Sequence, residues 1–276
     1  MQAFPTSFLL LFYQIAFGGL LALAATPFHQ LERGFYKSTA GVLFVVGLLG
    51  LLGKADIYLK SLSGGIKLGT SVEPFFHILF LLSFALYLFS LWGEHVLFRA
   101  RAFSFALLTG LTGLASGAHA FYQAPLWSLE AFLYPLSFLV SASLLGGVTV
   151  GMLLGHWYLI DTGQSIDPFV RIFKFFFISL IIQLIFFLLL PFLLYLLASP
   201  KTMLGLRQLW EEHTFLLWAR LLLGQIAPII ISTMIWRTLK IPHTMAATGL
   251  FYIALLGVFV GEILGRQILA LTSLPF

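Results

Sequence analysis

Apolar residues in this chain come in long unbroken runs separated by short polar interruptions, and they do not alternate with polar ones. Eight such runs stand out, at 7–25, 39–53, 74–92, 102–123, 127–158, 172–197, 213–236 and 245–270. A helix of roughly 17–25 apolar residues crosses the ~30 Å hydrocarbon core of a bilayer. Continuous runs argue against a transmembrane β-barrel, whose strands alternate. The pattern predicts an all-α, polytopic transmembrane helix bundle of about eight spans, with residues 1–276 forming a single integral membrane domain. The second run is short and the fifth long. The longest polar stretch, 53–74, leaves no room for a soluble domain. Residues 1–6 carry no Lys or Arg, so the first run reads as a span that stays, not as a cleaved signal.

Composition sharpens this picture. Hydrophobic residues make up 60% of the chain and charged ones 9%, where soluble domains carry about 25% charged residues. A soluble enzyme, a disordered chain and a nucleic-acid reader are excluded on that ground. The absence of Cys removes disulfides, thiolate-held zinc, cysteine-held iron–sulfur clusters and cysteine nucleophiles. The formal charge of +5 is best explained by basic loops that set orientation. Arg33, Lys37, Arg99, Arg101, Arg171, Lys174, Arg237 and Lys240 fall on one side. Lys54, Lys60, Lys67, Lys201 and Arg207 fall on the side of the termini. The positive-inside rule then places both termini on the outer, periplasmic side of the cell inner membrane.

Ionisable side chains inside the spans are the candidates for chemistry, because each costs at least ~2.5–3.5 kcal/mol in hydrocarbon. Arg220 lies in the seventh run. Glu262 and Arg266 lie four apart in the last, on one helix face where they can pair. The three read either as a helix-locking ion pair or as a polar pocket for a lipid-soluble ligand. His77 and His119, with Glu130, are expected near the outer face, where the imidazoles suit hydrogen bonds to a quinone. His95 and His156 sit near the inner face. Together the four imidazoles His77, His119, His95 and His156 also suit axial ligation of b-type haem. His29 and His243 fall in inner loops, and His213 in an outer one. Glycines at Gly18–Gly19, Gly146–Gly147, Gly151, Gly155, Gly257, Gly261 and Gly265 follow the small-xxx-small spacing that lets helix backbones approach. Pro135, Pro191 and Pro228 are expected to kink their spans.

These segments resemble the eight-helix membrane anchors of the polysulfide reductase and dimethyl sulfoxide reductase superfamily. The likeness rests on Tyr13–Gln14–Ile15–Ala16–Phe17–Gly18–Gly19–Leu20, on the glycine stripe Gly146–Gly147–Val148–Thr149–Val150–Gly151, and on Trp218–Ala219–Arg220. Its most specific part is Gly261–Glu262–Ile263–Leu264–Gly265–Arg266. The resemblance implies a quinol-interacting subunit of a respiratory or photosynthetic electron-transfer complex, using menaquinone or ubiquinone and binding no metal itself. It implies an iron–sulfur partner subunit, and beyond it a molybdenum catalytic subunit or a multihaem cytochrome. Glu262, Arg220 and Arg266 would frame the quinol site. His77, His119 and Glu130 would serve head-group hydrogen bonds or proton exit. The segment Gly155–His156–Trp157–Tyr158–Leu159 departs from the family pattern. A b-type cytochrome, a small-solute transporter and a purely structural membrane subunit are the other readings of the residues.

Overall fold

The computed structural model describes residues 3–26, 28, 30–63, 68–122, 127–161, 163–197 and 199–276; His29 and Lys67 lie outside them. Among these residues every regular element is helical: α1 (Ala3–Ala24), α2 (Arg33–Ser63), α3 (Leu68–Ser90), α4 (Val96–Ala118), α5 (Leu129–Ile160), α6 (Asp167–Leu197), α7 (Pro200–Glu212), α8 (Thr214–Leu221), α9 (Ala227–Lys240) and α10 (Thr244–Thr272). A single π-helical turn, Leu222–Ile226, joins α8 to α9 and makes them one rod.

Among the described residues seven helices are long and apolar enough to cross a membrane, so the chain is a multi-pass membrane protein. The expected eighth, α4, has the length but falls short in apolarity. It takes in Arg99 and Arg101 in its first turns, and Gly110, Gly113 and Gly117 further on. Two other boundaries differ from the sequence pattern. α2 continues ten residues past the expected end at Gly53, through Lys54 and Lys60. The polar stretch before α8 contains an additional amphipathic helix, α7, which buries Gly205, Leu206 and Leu209 and turns Arg207 and Glu211 outward.

Side-chain pairings fix the directions of the rods. α1 meets α2 antiparallel, with Gly19 against Leu43, Gly50 against Phe12 and Gly53 against Leu9. α2 and α3 pair through Lys54–Glu73 and Tyr58–His77. α3 and α4 pair through Ser83–Thr109 and Tyr87–Phe103. α4 closes the ring onto α1, where the Tyr13 hydroxyl donates to Gly110 O. The same circuit recurs downstream. α5 lies antiparallel to α6, α6 meets α9 at Phe173–Trp236, α8–α9 crosses α10 at Gly224–Gly261, and α10 returns to α5 at Gly151–Phe251. The molecule is therefore two four-rod antiparallel bundles in tandem.

A parallel pair, α1 and α5, joins them. Gly18 abuts the Ala142 carbonyl, and Gly146 abuts the backbone of Gly18. The Gln14 amide donates to Phe138 O at 3.0 Å. These two helices are the most enclosed, 67% and 78% buried against 28–39% for the other five candidate spans. The remaining rods turn long apolar faces outward, as lipid contact requires.

Alternation of direction sorts the helix ends. At the end where α1 finishes lie Arg33, Lys37, Arg99, Arg101, Arg171, Lys174, Arg237 and Lys240; we call it the basic end. There Lys37 stacks on Trp92 and Lys240 on Trp236, at 5.1 and 5.2 Å. The opposite, terminal end holds the start of α1 and the close of α10.

Gly146→Val places methyl groups inside the α1 backbone, and it should lower stability by at least the ~1–3 kcal/mol of ordinary overpacking. Gly249→Ala meets no atom within 4 Å and should leave thermal unfolding in detergent unchanged or slightly raised. Equal melting of the two variants would refute the α1–α5 contact as the joint between bundles.

Candidate functional site

Each bundle holds one buried cluster of charge, and both clusters lie toward the terminal end. In the second bundle the cluster is built on Glu262, from α10. Its Oε1 accepts from Gln183 Nε2 of α6 at 2.6 Å and from Arg220 Nη2 of α8 at 3.1 Å. Its Oε2 accepts from Arg266 Nη2, one turn on, at 3.1 Å. Arg220 Nη1 also donates to the Gly261 carbonyl. Gln225 of the π turn donates to Gln183 Oε1 at 2.7 Å, and Ser141 of α5 accepts from Gln183 at 3.1 Å. All four rods thus contribute. Arg220, Glu262 and Arg266 are no more than 2% exposed.

Local sequence explains how such bulky groups fit. Gly265 leaves the space that the Arg220 guanidinium fills, and Gly224 lets α8–α9 close on Gly261. Pro228 has no N–H to give. The π turn before it hands the Ala227 N–H to Leu222 O, five residues back, and swings Gln225 into the cluster. The Arg266 guanidinium carbon rests 5.1 Å from the centre of the Phe138 ring. Arg266 Nε and Nη1 and Arg220 Nε have no hydrogen-bond partner.

The predicted trio is therefore brought together, as a closed brace. The cavity beside Arg220 and Gln183 measures about 10 Å³ and is capped by Pro275 and Phe276. That volume takes about one water and no head group. The last residues seal it: Tyr134 donates to Ser273 O at 2.8 Å, Ser137 donates to Pro275 O at 2.5 Å, and Phe187 meets Phe276 edge-on.

The first bundle holds a cluster of which sequence reasoning named only His77 as a candidate. Lys54, 3% exposed, donates to Glu73 Oε1 at 2.5 Å. The Tyr58 hydroxyl donates to the same oxygen at 3.0 Å and lies 3.2 Å from His77 Nδ1. The Tyr13 ring stands edge-on to His77 at 4.6 Å. The polar neighbours of the His77 ring are the Tyr58 hydroxyl and the Gly47 backbone. Lys54, expected in an outer loop, is instead inside a helix, because Glu73 compensates its charge there. The signal was present: Lys54 and Tyr58 are four apart, and so are Glu73 and His77, the same spacing that exposed Glu262 and Arg266.

The remaining candidates lie along the terminal end. Glu73 lies against Gly117 of α4, just before His119. The exposed His119 ring meets Tyr122 at 5.0 Å, and Tyr122 meets Tyr134 at 5.4 Å. Both tyrosines line a cavity of about 330 Å³ together with Lys201, Thr202, Gln208 and Ser273. Glu130 stands behind it and accepts from Ser199 N at 2.7 Å and from Thr202 Oγ1 at 3.3 Å, fixing the start of α7. The four imidazoles read as possible haem ligands are spread out. His77 is buried between α2 and α3, His95 precedes α4, His119 ends it, and His156 is exposed near the basic end. Among the described residues no group of three or more His, Asp or Glu is placed to hold a metal ion.

No model of a protein family, no curated protein and no solved structure matches the chain.

Glu262→Gln leaves two guanidiniums buried without a carboxylate, which should cost about 3–5 kcal/mol of stability. Arg207→Gln breaks only the exposed Arg207–Glu211 pair and should not shift melting. Thermal unfolding of the purified variants checks both, and a Glu262→Gln protein that melts with the unmodified chain would refute the brace.

Proposed function

We propose that this protein is the integral membrane subunit of an electron-transfer complex in the cell inner membrane. It exchanges electrons between a membrane quinol, menaquinol or ubiquinol, and iron–sulfur or cytochrome partner subunits. The observation that carries this reading is the row of proton-carrying side chains along the terminal end, from His77 and Glu73 past His119 to the tyrosine-lined cavity. Oxidising a quinol releases two protons, and a site for it needs groups that gain and lose them. Carboxylates, imidazoles and phenols do so; guanidiniums do not. Glu262, held by two arginines, therefore serves with Arg220 and Arg266 to lock the second bundle. In this reading proton exchange falls to Glu73 and His77, which share the Tyr58 hydroxyl as a neighbour. The cavity of about 330 Å³ has the size of a small-molecule site. Its lining offers the Tyr122 hydroxyl, while those of Tyr134 and Thr202 are already donated to Ser273 O and Glu130, and Glu130 holds its α7 wall. The electrons pass, in this reading, to partner subunits that hold the redox centres.

In this reading α4 also spans, because it runs beside α3 and α1 at the same depth, and the chain makes eight passes. The eight basic residues of the basic end then face the cytoplasm. The terminal end is periplasmic, and pairing of Lys54 with Glu73 removes one positive charge from its count.

Glu73→Gln and His77→Phe should each lower quinol-dependent electron transfer in native membranes by roughly 100-fold, the usual scale of a lost acid–base group. Near-normal turnover at normal membrane levels would remove the assignment. The chain has no Cys, so single cysteines report topology without background. In intact cells an impermeant maleimide should label Gln208→Cys and spare Glu94→Cys. The reverse pattern would invert the topology.

A further inference from the structure

A second cavity, of about 380 Å³, opens at the basic end of the first bundle between α2, α3 and α4. Its walls are aromatic. Phe28 stacks on Tyr36 at 5.0 Å and meets Phe103 edge-on at 5.5 Å, and Phe103 packs on Tyr87 at 4.9 Å. Arg33 and Arg99 also line it. Two polar atoms in this lining are left without a partner. The Tyr87 hydroxyl belongs to a fully buried side chain, and Arg99, itself part-exposed, has its Nε atom covered and unbonded. Arg99 is held in place by its Nη2, which donates to Gly93 O at 2.7 Å. The neighbouring Tyr36 hydroxyl is already spent on Thr26 at 3.1 Å.

An unpaired donor buried in a membrane protein costs more than one in water, since no solvent replaces the lost bond. Two of them around one cavity call for an acceptor. The apolar walls call for hydrocarbon, and the arginines for negative charge. A single ligand class combines all three: an anionic phospholipid. Basic pockets between helices on the cytoplasmic face are the usual sites for such head groups. We propose that this cavity holds one anionic phospholipid. The phosphate lies against Arg99 and Arg33, the Tyr87 hydroxyl donates to a phosphate or ester oxygen, and the upper acyl chain packs on Phe28 and Phe103. This assignment stands apart from the quinol reading, because it uses the other end of the bundle and no proton-carrying cluster.

Native mass spectrometry of the full chain, released from nanodiscs of mixed phosphatidylglycerol and phosphatidylcholine, tests it. The unmodified protein should retain one phosphatidylglycerol in preference to phosphatidylcholine. Arg99→Gln should weaken retention about tenfold, as expected for losing a charge-assisted hydrogen bond. Tyr87→Phe, which keeps the ring and so the packing, should weaken it severalfold with unchanged melting. Arg237→Gln removes a basic residue of the same end outside the cavity and should leave retention intact. Loss of the lipid in Arg237→Gln to the same degree would overturn the site in favour of general surface charge. Displacement of the lipid by millimolar inorganic phosphate would reassign the pocket to a free anion. Retention of a quinone in place of the lipid, lost in Tyr87→Phe, would overturn the proposal as well.

Discussion

Helices inside a bilayer gain nothing by hiding apolar surface from one another, because lipid is as apolar as leucine. What holds them is close backbone approach and polar groups with nowhere else to bond. In this protein both are concentrated where α1 and α5 run side by side. Gly18, Ala142 and Gly146 remove the side chains that would keep the backbones apart, and Gln14 bonds across the gap to Phe138 O. Every other rod is positioned from this axis. α2 and α4 pack on α1, α6 and α10 pack on α5, and α3 and α8–α9 complete the two rings.

Within each ring a buried charge cluster supplies the second kind of adhesive, and the two differ in chemistry. The Glu262 cluster is saturated by arginines whose charge does not change with proton supply. It ties four rods together beside a cavity of about 10 Å³. The Glu73 cluster uses lysine, tyrosine and histidine, side chains of a kind that exchange protons. Two similar buried ion pairs thus differ in the cation that holds the carboxylate, guanidinium in one and ammonium in the other.

Much of the fold was legible because hydrophobic run length maps onto membrane thickness. The pairing of Glu262 with Arg266 was legible because four residues make one helical turn. Gln183 and Gln225 were not, since a neutral amide in an apolar run carries no mark of its partner until the tertiary fold supplies one. Lys54 and Glu73 were hidden for a different reason. Each lies at the polar flank of an apolar run, where a charge is ordinarily solvated, and only the pairing makes burial possible. The π turn at Leu222–Ile226 left a partial trace in Gly224 and Pro228. The trace marks a weakened helix without saying which way Gln225 will turn. α7 was missed because its apolar positions cover a narrow stripe, too sparse to register as a span.

The parallel joint between α1 and α5 also sets an order for biosynthesis. Gln14 and its acceptor Phe138 are 124 residues apart, so at about 5–20 residues per second the first helix waits roughly 6–25 s for its neighbour to be made. Through that interval the Gly18 groove faces lipid or the insertion machinery, although α1 can already gather α2, α3 and α4 around its other sides. On that timing the first bundle would keep one open seam until α5 is made. A chaperone or a misplaced helix reaching that seam before α5 would compete for the same backbone contact.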